Sequence, residues 1–168
     1  MKRFTVAILV NNQFGVLNRV TSMFRRRQFN IESLTVSETE SEKYSRITVL
    51  SEGEEVTKQQ LINQLYKLPD VVSIAELDAT ENVTRELLLI KIKNCPETRA
   101  DVRGAIDAFE GKIVDYTKES QIIQIVGDSR KIDNFVTLMH EYGILEICRT
   151  GIVSLARGTN TIRKVTNF

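Results

Sequence analysis

Tryptophan is absent from this 168-residue chain, histidine occurs once (His140), and cysteine and proline occur twice each. Two cysteines, Cys95 and Cys148, cannot build a disulfide framework, which fits a reducing cytoplasm. Together with His140 they are too few and too widely spaced for a four-ligand structural zinc site. Only two prolines and 42% hydrophobic residues exclude an intrinsically disordered chain. No apolar run approaches the roughly 20 residues of a membrane span. An excess of one charge is missing as well: 23 Lys and Arg stand against 22 Asp and Glu. Splitting the chain uncovers none, because residues 1–80 hold ten basic and ten acidic side chains and residues 81–168 hold thirteen and twelve. A dedicated nucleic-acid binder needs a basic face to neutralise phosphates, so that class is disfavoured. Met1-Lys2-Arg3-Phe4 runs straight into a strand pattern with no signal or transit segment, and a cytoplasmic location is expected.

Catalytic motifs are missing too. No Walker loop, GxGxxG or GxSxG occurs. Glu38, Glu40 and Glu42 lie between two strand patterns and read as a solvated hairpin loop rather than a catalytic or metal site. An enzyme in its own right is not expected.

What is present is one pattern written twice. Phe4, Val6, Ile8 and Val10 alternate along a strand over residues 4–10, and a turn follows at Asn11-Asn12-Gln13-Phe14-Gly15. Val16, Leu17, Val20, Met23 and Phe24 then form one helical stripe, ending in Arg25-Arg26-Arg27, a basic last turn that suits a helix C-terminus. Strands are predicted over residues 31–36 and 45–50. A helix follows with Leu61, Leu65 and Leu68 inward and Thr57 as N-cap, then a strand over 71–77. The order recurs. Residues 87–92 read as a central strand apolar on both faces, and Val102, Ala105, Ile106 and Phe109 mark a helix that Gly111 is placed to end. Strands at 113–116 and 121–126 precede a helix capped from Gly127-Asp128-Ser129. A last strand over 144–155 bends near Gly151. With Phe4 equivalent to Leu87, the repeat spans about eighty residues. The expected fold is α+β: two tandem ferredoxin-like β-α-β-β-α-β units, at residues 1–80 and 81–158, with a frayed tail over 159–168. Small sheets with helices on one face tend to bury the rest against another copy, so oligomerisation is expected.

The most informative segment is Asn12-Gln13-Phe14-Gly15-Val16-Leu17, which joins the first strand to the first helix. Free N–H groups of Gly15, Val16 and Leu17 at a helix start favour an anion such as a small carboxylate, by up to ~2 kcal/mol in a partly buried geometry. Asn12 adds an amide, and Asn30 opens the next strand. The plainer alternative is that Gly15 only makes the turn and both asparagines satisfy loop backbone.

Asn12-x-x-Gly15-Val16-Leu17-x-Arg19-Val20 resembles the opening of an ACT domain, a small-molecule sensor that often binds amino acids. Arg27-x-Phe29-Asn30-Ile31-Glu32-Ser33-Leu34-Thr35-Val36 and Ser45-Arg46-Ile47-Thr48 resemble the small regulatory subunit of acetolactate synthase. So do Arg85-Glu86-Leu87, Ile113-Val114-Asp115 and Glu146-Ile147-x-Arg149-Thr150-Gly151, and the likeness covers residues 1–158. The resemblance implies a non-catalytic subunit that binds no cofactor itself. It would activate a catalytic large subunit carrying thiamine diphosphate, Mg and FAD, and confer feedback inhibition by valine, or by leucine or isoleucine. It also implies a homodimer through the ACT domains, with the effector held by Asn12, Gly15, Val16 and Leu17 of one chain and Asn30 and Ile31 of the other. Asn11 and Phe14 depart from the family, where glutamate and proline or serine are common; Phe14 stands beside the implied pocket. An alternative is a free-standing ACT-type amino-acid sensor or transcriptional regulator. That reading needs a DNA-reading element, and the only basic run is Arg25-Arg26-Arg27.

Overall fold

A computed structural model describes residues 2–78 and 80–163. They form two compact units, one of residues up to Val83 together with those from Ile152 onward, the other Thr84–Gly151. The first runs β1 (Lys2–Asn11), α1 (Val16–Arg26), β2 (Ser33–Glu38), β3 (Tyr44–Gly53), α2 (Glu55–Leu65) and β4 (Val71–Glu76). Next come β5 (Asn82–Lys93), α3 (Arg99–Ala108), β6 (Lys112–Tyr116), β7 (Ser120–Gly127), α4 (Ser129–Met139), a 3-10 turn His140–Tyr142 and β8 (Ile144–Arg149), and β9 (Val153–Ala156) closes the series. The sheet orders β2-β3-β1-β4 and β6-β7-β5-β8 superpose term by term, all neighbours being antiparallel. Each unit is thus a β-α-β-β-α-β fold with its own core.

Periodicity explains the cores. Val6, Ile8 and Val10 of β1 meet Val16, Val20, Met23 and Phe24 of α1 and Leu61 and Leu65 of α2 in one buried cluster. Leu88, Ile90 and Ile92 of β5 meet Val102, Ile106, Ile132, Phe135 and Met139 in the other. The registers set the repeat: Ile8 pairs with Ile47 and Ile74 as Ile90 pairs with Ile123 and Ile147, an offset of 82. Bulges at Leu9/Val10 and Lys91/Ile92 keep the same offset. Phe4 therefore corresponds to Glu86, not Leu87. Leucine at both Leu87 and Leu88 hid the phase, and a one-residue slip exchanges the faces of a strand. The expectation of two buried faces is corrected likewise, since Leu88 is buried while Leu89 is 37% exposed.

Both first helices of the repeat end in the same motif. Phe29 N–H donates to Phe24 O and Gln28 N–H to Arg25 O, with Gln28 left-handed at φ 58°. Gly111 N–H donates to Ile106 O and Glu110 N–H to Asp107 O, with Glu110 at φ 55°. These are Schellman ends, and an edge-to-face contact of Phe24 with Phe29 completes the first. The left-handed place after α3 belongs to Glu110. Gly111 has another reason, because an added Cβ would lie 2.4 Å from Ile125 Cδ1.

Further differences are local. Helix α2 begins two residues before Thr57, with Glu54 as its N-cap, and Thr57 packs under Gly53 instead. Strand β2 starts at Ser33, so Ile31 lies in the connection, against the core. Leu68 lies beyond the end of α2 but still packs on that core. The single last strand is two, parted at Gly151, whose φ is 80°. Asp128 does cap α4, accepting from Lys131 N–H at 2.8 Å. Residues 152–158, expected in the second unit, are divided: β9 pairs with β5 of the second sheet, while the residues cluster with the first unit. The described part of the expected frayed tail is tied down there. Ser73 Oγ donates to Ile162 O at 2.8 Å, and Arg163 pairs with Glu40 at 3.0 Å and stands over the Tyr44 ring. Residues 164–168 of that tail lie outside the described residues. No helix among the described residues is long and apolar enough to cross a membrane.

Candidate functional site

The turn from β1 into α1 is built by backbone bonds at both sides. Asn11 N–H donates to Asp70 O at 2.9 Å and Asn12 N–H to Lys43 O at 2.8 Å, so the β2–β3 and α2–β4 connections flank the helix start. Gly15 takes φ 82° at the N-cap, a conformation open to glycine with little cost. Its lack of a side chain matters equally. No side chain caps α1 and no acidic residue sits in its first turn, so the helix itself supplies no anion to its positive end. Val16 N–H is used by Gln13 O at 3.3 Å, contrary to its expected freedom. Among the described residues, the N–H groups of Gly15 and Leu17 have no acceptor. Around them Phe14 is fully exposed and Leu17 41% exposed.

Charge near this turn is organised by two contacts. Arg19 Nε donates to Asp70 Oδ2 at 2.6 Å, and this bond holds the guanidinium pKa above its usual value against the opposing effect of burial. Asn12 is more committed than its sequence indicates. Its amide donates to Glu42 O at 3.0 Å and Glu38 Oε1 at 3.3 Å, and its carbonyl accepts from Ser45 Oγ at 3.0 Å. The hairpin loop between β2 and β3 is as expected, but it brings the Glu38 carboxylate beside the helix start. Sequence spacing carries no signal of that, because Asn12 and Glu38 are 26 residues apart and meet only through strand pairing.

Asn30 and Ile31 lie past the other end of α1. The Asn30 carbonyl accepts from Ser51 Oγ at 2.6 Å, and Ile31 packs against the first core. Eleven helical residues span about 16 Å. One chain therefore gathers Asn12, Gly15, Val16 and Leu17 at one end of α1 and leaves Asn30 and Ile31 at the other. The described residues contain no group of three or more His, Cys, Asp or Glu side chains placed to hold a metal ion.

The family model "AHAS small subunit-like ACT domain" matches residues 6–73, and "Small subunit of acetolactate synthase" matches residues 85–158. A probable acetolactate synthase small subunit from Archaeoglobus fulgidus is 44% identical over 156 residues, covering 93% of this chain and 98% of that one. This chain belongs to the acetolactate synthase small-subunit family. The acetolactate synthase small subunit of Bacillus subtilis is 44% identical over 161 residues, 95% of this chain and 92% of that protein. The crystal structure of the acetolactate synthase small subunit from Thermotoga maritima superposes with a TM-score of 0.87 at 36% identity, covering 95% of this chain and all of that one. The first unit is accordingly an ACT domain, and the small-subunit match extends through the second.

The small-subunit motif residues of the second unit have a visible structural role. Arg149 grips Glu86 with two parallel bonds, Nε to Oε1 at 2.7 Å and a terminal nitrogen to Oε2 at 2.8 Å, and adds Asp133 at 2.8 Å. The Glu86 side chain is almost fully buried. These hydrogen bonds, that to Glu86 foremost, hold the Arg149 pKa well above its usual value.

Proposed function

We propose that this chain is the non-catalytic regulatory subunit of an acetolactate synthase in the cytoplasm. In this reading it binds the catalytic large subunit, raises its activity and confers feedback inhibition by valine, or by leucine or isoleucine. Thiamine diphosphate, Mg and FAD belong to the large subunit and none to this chain. The observation that carries the effector site is the uncapped start of α1, with Gly15 at its N-cap and no first-turn acid. The effector's carboxylate is received by the Gly15 and Leu17 N–H groups, and its ammonium lies toward Glu38 and the Asn12 amide. Val16 shapes the turn, and the apolar side chain meets Leu17 and Phe14.

Asn30 and Ile31 complete the site from a second copy, because within one chain α1 holds them about 16 Å away. A homodimer through the ACT domains follows, and β2, an edge strand of its sheet, is available for it. A methylene changes affinity in an apolar pocket by only ~1–3 kcal/mol, so partial discrimination among the branched-chain amino acids is expected.

The test is calorimetric titration of valine into the wild-type chain and Gly15→Asp. A carboxylate at the helix start repels the ligand's own, so the variant loses the valine bound there. Equal affinity in both chains moves the site elsewhere.

A further inference from the structure

The ACT sheet has a second face, away from its helices, and the chain returns over it. Register places Arg46 of β3 beside Leu9 of β1 and Ser37 of β2, with Ser73 of β4 next to Leu9. Around Leu9 and Arg46 this face carries small side chains, Ala7, Ser37, Thr48, Ser73 and Ala75. Between it and the segment that ends in Ile162 and Arg163 lies a cavity of about 950 Å3. That is ample for a small molecule.

Arg46 is the unusual group in it. Its guanidinium donates once, to Ser154 O at 2.7 Å, and pairs with no carboxylate among the described residues. Burial lowers its pKa, which marks a cation held partly out of water without a counter-anion. A planar guanidinium with donors to spare matches a carboxylate or a phosphate. The remaining charges choose between them. The cavity is lined by two cations, Arg46 and Arg163, and by Glu38, Glu40, Glu76 and Glu81. Arg163 is held by Glu40 and Glu76 by Lys58, so Glu38 and Glu81 leave the rim acidic and it repels a polyanion. A ligand with one carboxylate and a positive charge of its own fits this field. Leu9, Leu77, Leu155 and Ile162 supply apolar wall.

We propose that this cavity is a second small-molecule site, which takes an apolar α-amino acid with its carboxylate on Arg46 and its ammonium toward the glutamate rim. The site shares only Glu38 with the start of α1 and stands independently of the effector site above.

The test uses the full chain carrying Gly15→Asp, so that binding at the helix start is removed, with L-leucine as probe. Titration followed by the Arg46 Nε–H resonance and by calorimetry is expected to show one leucine per chain and a shift of that resonance. Isopentylamine, which lacks the carboxylate, leaves it unmoved. Adding Arg46→Gln weakens leucine binding at least tenfold, and Arg46→Lys restores part of it. An Arg46 resonance indifferent to leucine overturns the proposal without any substitution at Arg46. Unchanged affinity in Arg46→Gln does so too, and pyrophosphate binding more tightly than leucine overturns the ligand class. Failure of the helix-start reading appears separately, as the same number of valines bound per chain in wild type and Gly15→Asp.

Discussion

Gly104 and Gly111 stand seven residues apart, and their surroundings give alanine opposite effects. Gly104 is exposed within α3 and a Cβ there meets nothing within 4 Å, so Gly104→Ala is expected to stabilise by about 0.5–1 kcal/mol. At Gly111 the Cβ meets Ile125 Cδ1 at 2.4 Å and Ile106 O at 3.3 Å, and Gly111→Ala is expected to destabilise by about 1–3 kcal/mol. Urea midpoints of the two variants should move to opposite sides of the wild type. Acid supplies a second test at this scale. Backbone and hydroxyl donors of Thr80 hold the Asp78 carboxyl below its usual range, and Lys131 does the same for Glu110. Depressed carboxyls bind fewer protons folded than unfolded, so their stabilisation is present at neutral pH and lost as pH falls from about 5 through the folded values. Unfolding followed at pH values from 7 down should show Glu110→Gln losing less stability than wild type over that interval. The helix-start glycine was legible from sequence because its turn and helix are local. The partners of Asn12 were not, since strand pairing across 26 and 33 residues brings Glu38 and Ser45 to it.

Among the elements, β5 and β8 are joined by more than their ladder. Glu86 and Arg149 lie 63 residues apart, and the fork between them buries a carboxylate that Arg149 alone compensates among the described residues. Arg149→Met is expected to cost about 3 kcal/mol, the low end for breaking a buried pair, because the arginine is one-third open to water. Glu86→Gln with Arg149→Met should recover part of it, and thermal unfolding of the three variants measures this. Amphipathic stripes revealed the four described helices and the order of elements along the chain, because one face of each must reach a core. Boundaries were less legible where chemistry is ambiguous. Thr57 satisfies the cap preference, yet the helix begins before it, and glutamine and glutamate take left-handed places usually filled by glycine.

For the whole molecule, the repeat turns 168 residues into two like units, and the resemblance to the small-subunit family is read across nearly all of them. The grouping of residues 152–163 with the ACT unit was not legible, because nothing in a short strand and the segment after it states which surface they will meet. The balanced charge of each half agrees with a protein that meets other proteins and zwitterions rather than nucleic acid. On the proposed reading, a site divided between the two ends of α1 is complete only in a dimer, and effector binding would then be coupled to assembly. The most direct measurement mixes this chain with its purified catalytic large subunit and follows acetolactate formation with and without valine. The chain alone should make none, its addition should raise the rate of the large subunit, and valine should suppress that rate only when the chain is present. A rate unchanged by adding the chain would contradict the account.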